Sequence, residues 1–161
     1  VMASQFETFM SPFVIMFSIP FAFVGVLMGL YVTGTPLGAM GMIGILILMG
    51  IVVKNGIVLI DYTILMRERG HSVTEASTIA ANSRLRPILM TTLTTVLGMI
   101  PMAVGQGEGS EMWRSLGMVV AWGLSISTLV TLVIIPTVYA SMASWQDRRA
   151  ARKAAKKLAK A

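Results

Sequence analysis

Cysteine is absent from the 161 residues, and charge is scarce, with Asp, Glu, Lys and Arg together making up 12%. Without cysteine there is no disulfide framework, no thiolate metal site and no thiol nucleophile. A soluble domain carries roughly 25% charged residues, and here the deficit is concentrated. No charged side chain occurs in 8–53, and 87–107 and 115–146 are also charge-free. About 20 consecutive apolar residues cross the hydrocarbon layer. Runs of this length exclude a soluble enzyme, a disordered linker and a fibrous scaffold. Two-residue alternation is missing as well, which removes a transmembrane β-barrel. The fold class expected is an all-α membrane protein.

Four spans are expected, at about 13–32, 37–65, 87–104 and 115–143. The turn cluster Thr33-Gly34-Thr35-Pro36 separates the first two, and Pro87 suits the first turn of the third. Segment 1–12 reads as the end of a preceding helix and a turn, and 144–161 as a basic tail. The chain starts at Val1 with no basic leader, so it is expected to begin inside a longer protein. Basic residues set the orientation. Arg67, Arg69, Arg84 and Arg86 lie between spans two and three, and seven more lie in the tail, from Arg148 to Lys160. The opposite loops hold only Arg114. The positive-inside rule therefore puts the Arg-rich connector and the C-terminal tail in the cytoplasm.

Within that connector Ser72-Val73-Thr74-Glu75 has capping-box spacing. Val73, Ala76, Ile79 and Ala80 follow at helical intervals, which predicts a short amphipathic cytoplasmic connector helix. His71 stands alone before it and reads as a solvated loop residue. Basic pairs recur every four residues among alanines in the tail, giving a helix with one basic face. Anionic lipid is its expected partner, at about 1 kcal/mol per basic residue near the surface. Nucleic acid is not, because no aromatic residues interleave the charges.

Lys54 is the residue that the membrane explains least. It interrupts an apolar span some two turns from the cytoplasmic end. An ionised lysine that deep costs roughly 2.5–3.5 kcal/mol on insertion scales, so it normally faces a partner or a wet cavity. Snorkelling is the competing reading. Asp61 shares its face, but seven residues place it roughly 10 Å away along the axis. The counter-charge for Lys54 is therefore expected from a helix outside this chain. Thr91, Thr92, Thr94 and Thr95 crowd span three. Most are expected to bond to the preceding turn and pack helices, with Thr91 the best placed to reach a polar centre. Gly25-xxx-Gly29 and Gly38, Gly41 and Gly44 are small-residue faces for close helix approach. The glycine-rich stretch 105–109 lacks a Gly-Lys-Ser/Thr ending and a strand before it, so it reads as a loop and not a phosphate cradle. No cofactor or metal site is expected, and the 14 Met are spread over every span as apolar filler.

Several motifs also resemble one family. Gly50-Ile-Val-Val-Lys-Asn-Gly-Ile-Val-Leu-Ile-Asp61 followed by Arg84-Leu-Arg-Pro-Ile-Leu-Met-Thr-Thr92 is similar to the resistance–nodulation–division (RND) efflux permeases of the hydrophobe/amphiphile branch. Ala3-Ser-Gln-Phe-Glu-Thr-Phe9, Gly98-Met-Ile-Pro-Met102 and the 105–109 loop fit the same family in the same order. The resemblance implies the end of the eighth transmembrane helix and helices nine to twelve of a much longer pump. It gives Lys54 a place in a proton relay, opposite two aspartates on the fourth helix, with Arg84 and Thr91 beside it. Asn55, Asp61 and Thr92 are supporting candidates.

It further implies a proton antiporter in the bacterial inner membrane that exports drugs or other amphiphiles and is not an enzyme. The parent is implied to be a homotrimer working with a periplasmic adaptor and an outer-membrane channel. The alternative is a standalone four-helix membrane protein that scaffolds or regulates a complex. An open reading frame continuing upstream of Val1 distinguishes the two.

Overall fold

The computed structural model describes residues 10–159. The expected tail of a preceding helix and the Ala3 to Phe9 motif lie outside the described residues, as does Lys160. Within them are four helices and no strand: α1 (Met10–Thr33), α2 (Ala39–Glu68), α3 (Val73–Val104) and α4 (Ser110–Leu158). All four are long and apolar enough to cross a membrane, so the chain is a multi-pass membrane protein. Water is absent from the hydrocarbon layer, so each segment must satisfy its own backbone, which a helix does. That rule also tolerates Pro20, Pro87, Pro101 and Pro136 inside helices.

Helix α4 is the centre of the arrangement. It packs against α1, α2 and α3, while α1 and α3 do not touch one another among the described residues. Close approach depends on glycine. A Cβ on Gly29 would collide with the Trp122 side chain, and one on Gly117 would lie 2.8 Å from the Ala103 backbone nitrogen. The Gly25-xxx-Gly29 face therefore seats α1 on α4, and Gly117 seats α3 on it.

The core falls into two apolar clusters at different depths. Val14, Ile15, Leu59, Ile60, Ala80, Ile135, Tyr139 and Ala143 fill the end near the Arg-rich connector. Ala22, Val26, Leu48, Val52, Val119 and Leu124 fill the half nearer the glycine loops. At that far end Ser115 ties the 34–38 turn to α4. Its hydroxyl donates to the Pro36 carbonyl at 3.2 Å and accepts from the Gly38 N–H at 3.4 Å.

Two features differ from expectation. The capping box is present, with Glu75 N–H donating to Ser72 Oγ and Ser72 N–H to Glu75 Oε2, each at 3.3 Å. The connector is helical as expected, but it runs unbroken through Pro87 into span three. Proline removes one backbone hydrogen bond, and packing outweighs that loss here. Ala76 and Ala80 are fully buried, so this stretch is docked on the bundle and does not lie alone on a surface. At the other end α4 starts at Ser110 and continues as helix past the span into the basic tail. Its 49 residues reach about 73 Å at 1.5 Å per residue, more than twice the roughly 30 Å hydrocarbon layer. His71 is exposed in the loop before α3, and 105–109 forms a loop whose Gly107 and Gly109 have positive φ.

Candidate functional site

The polar residues of α2 and α3 divide between two surfaces. On α2, Ile43, Ile47, Gly50, Lys54, Asp61 and Leu65 recur at helical spacing, and all six are exposed from the bundle. This apolar stripe carries one cation and one anion. On α3, Thr91 and Thr94 are likewise exposed. The Thr91 hydroxyl donates to the Pro87 carbonyl at 2.9 Å and that of Thr94 to Met90 at 2.8 Å. No hydrogen bond or ion pair joins Lys54 to Thr91 or to Asp61 among the described residues. The one ion pair there is Arg67–Asp147 at 3.5 Å, where the ends of α2 and the α4 span meet.

A contact of Arg84 shows how α2 and α3 are aligned. Its guanidinium carbon lies 4.8 Å from the centroid of the Tyr62 ring, close enough for the ring quadrupole to attract the cation. From that contact Lys54 is eight residues along α2 and Thr91 seven along α3. The helices run antiparallel, so both positions lie towards the glycine loops, about 12 and 10.5 Å from the contact. Lys54 and Thr91 therefore sit at nearly the same depth on the free surfaces of adjacent helices. Arg84 is half-buried, and its buried Nε has no hydrogen-bond partner.

The supporting candidates separate. Asp61 shares the free stripe with Lys54, whereas Asn55 and Thr92 turn into the bundle and are buried. Thr92 Oγ1 meets Thr128 Oγ1 of α4 at 3.1 Å. Asn55 belongs to a polar layer between the two apolar clusters, together with Ser18, Ser127 and Thr131. The Ser18 hydroxyl is satisfied by the Ile15 carbonyl at 2.6 Å. Those of Ser127 and Thr131 are buried without a partner.

Sequence reasoning missed Tyr62, Thr128, Ser127 and Thr131. Tyr62 directly follows Asp61 and could have been found from the preference of guanidinium for an aromatic face. The α4 hydroxyls carry no signal of their own, because uncharged polar residues are ordinary in membrane helices.

Residues 1–143 match the model of the AcrB/AcrD/AcrF family. The chain belongs to that family of RND efflux transporters. Among curated relatives it is 45% identical over 150 residues to the swarming motility protein SwrC of Bacillus subtilis (strain 168), covering 92% of this chain and 14% of that protein. It is 39% identical over 143 residues to the multidrug resistance protein MdtC of Erwinia tasmaniensis, covering 88% of this chain and 14% of the relative. Two crystal forms of a heavy metal efflux pump share the fold. Form II has a TM-score of 0.79 at 32% identity, covering 88% of this chain and 14% of the pump. Form I has 0.73 at 36%, covering 80% and 13%. This chain thus corresponds to about one-seventh of the length of these relatives, and it is a portion of an RND permease.

Proposed function

We propose that this chain supplies the lysine side of the proton relay in an inner-membrane exporter of drugs or other amphiphilic compounds. The observation that carries the reading is the shared depth of Lys54 and Thr91 on the free surfaces of α2 and α3. A lysine on a lipid-depth stripe of Ile and Leu is costly unless an acid covers it, and the stripe is exposed from this bundle. The aspartate pair on the fourth helix of the same pump is the occupant expected there.

Protonating one acid weakens its hold on the ammonium group. The four-carbon stem of Lys54 then lets it turn toward another partner, and Thr91 is the exposed hydroxyl of α3 nearest to it in depth. Two alternative positions of one charge couple proton uptake to helix movement. Arg84 supplies a second fixed cation nearer the Arg-rich end. In this reading Asn55, Asp61 and Thr92 support the relay without carrying its charge.

The parent works as a homotrimer with a periplasmic adaptor and an outer-membrane channel. The connector and the basic tail lie in the cytoplasm, where the tail attracts anionic lipid. The name of MdtC supports a drug cargo, and the heavy metal pump makes metal ions the competing cargo.

The test is export by the full-length parent. Lys54→Met should abolish it at normal membrane abundance, and Lys54→Arg should impair it, because a planar guanidinium hydrogen-bonds differently and keeps its proton. Near-normal export by Lys54→Met would show that Lys54 only snorkels. A panel of dyes, detergents and copper salts separates amphiphile from metal cargo. Orientation is read separately by Ser72→Cys and Ser110→Cys. An impermeant thiol reagent applied outside should label position 110 and spare 72, and the reverse result inverts the topology.

A further inference from the structure

Arg84 is a basic side chain that the bundle partly buries, and its surroundings are specific. It takes part in no ion pair among the described residues, and its buried Nε is unpartnered. The contact that holds the guanidinium is the face of Tyr62, 4.8 Å from carbon to centroid. Tyr62 is itself anchored, because it packs against the cluster that contains Leu59, Ile60 and Tyr139. A rigid ring backed by the core presents a flat, electron-rich face to a flat cation. That arrangement holds the guanidinium carbon over the ring.

We propose that Tyr62 is a positioning residue: its ring holds the Arg84 guanidinium and thereby sets the alignment of α2 with α3 that brings Lys54 and Thr91 to one depth. The proposal rests on the relay reading above. Its consequence is geometric. Lys54 and Thr91 lie two turns beyond the contact, so a slip of one residue there moves one of them by about 1.5 Å relative to the other. Proton transfer and hydrogen-bond exchange are sensitive to displacements of that size. The phenolic hydroxyl plays no part, since the attraction comes from the ring face.

The ring and the guanidinium can be tested as a pair in the full-length pump, with membrane abundance and melting temperature measured alongside export. Tyr62→Phe keeps the ring and should export within twofold of the parent. Tyr62→Leu keeps an apolar side chain but removes the face, and export should fall at least tenfold at unchanged abundance. Tyr62→Met fills the position if the leucine variant does not assemble, and the same loss is expected.

Arg84→Lys replaces the planar cation by an ammonium group that stacks poorly. Combined with Tyr62→Leu, it should be no worse than the poorer single variant, because both remove one contact. Normal export by Tyr62→Leu or Tyr62→Met, or losses that multiply in the double variant, would overturn the proposal. Lys54→Met separates the two levels. If it is inactive while Tyr62→Leu is active, only the Tyr62 assignment falls, and if it is active the relay reading falls first.

Discussion

Neighbouring residues meet opposite fates on the two surfaces of α2 and α3. Lys54 and Thr91 face out of the bundle, while Asn55 and Thr92 are buried inside it. One residue is a rotation of 100° about the helix axis, enough to exchange the inner surface for the outer one. Inside, the Thr92 hydroxyl bonds across to Thr128. Outside, Thr91 bonds back to its own helix, so it can be released without breaking the bundle. A hydroxyl committed to another helix holds structure, and one parked on a carbonyl of its own helix is available for exchange.

That contrast can be broken or sharpened by substitution in the full-length protein. The largest effect is expected where the inner surface has no slack. Gly117→Leu forces a side chain into the Ala103 backbone, and overpacking of this kind costs about 1–3 kcal/mol or more. Thermal unfolding in detergent should show a clear loss. A melting temperature equal to the parent's would mean that α3 and α4 do not approach as described.

Next come the adjacent threonines. Thr92→Val leaves the Thr128 hydroxyl buried and alone, and should lower stability by about 0.6–2 kcal/mol. Thr92→Val with Thr128→Val should recover most of that loss, because both partners are then apolar. Thr91→Ala should leave stability near that of the parent and reduce export instead. If the two threonines swapped these effects, the division between surfaces would be wrong.

A smaller effect of opposite sign is expected at Ser127. Its buried hydroxyl lacks a partner, so Ser127→Ala should be neutral or stabilising by up to about 1 kcal/mol. A loss larger than that would show that the hydroxyl is satisfied in the membrane. The smallest effect belongs to Arg67–Asp147, where the side chains are 35% and 60% exposed. Arg67→Ala should change stability by no more than about 0.5 kcal/mol, and a larger change would mark a coupling between α2 and the tail helix.

The spans themselves were legible because charge is excluded from lipid whatever the packing. The bounds expected at 37–65 and 87–104 differ from α2 and α3 mainly at their ends. Those ends depend on capping and docking rather than hydropathy, as the run of α3 through Pro87 illustrates. Lys54 stood out for the same reason as the spans, since a lone charge in an apolar run is visible without coordinates. Tyr62 did not, because an aromatic residue near the end of a span is unremarkable until a guanidinium lies on it.

Composition and the order of residues alone determined that this chain is helical, has four segments long and apolar enough to cross a membrane, and carries a lysine within an apolar run. The cost of burying charge and unsatisfied backbone in hydrocarbon is local, and it acts on each segment separately. Only tertiary structure decided that α4 is the centre, that Asn55 and Thr92 turn inward, and that Lys54 and Thr91 share a depth. Those facts depend on how helices rotate and slide against one another, which is set by contacts between residues far apart in the chain.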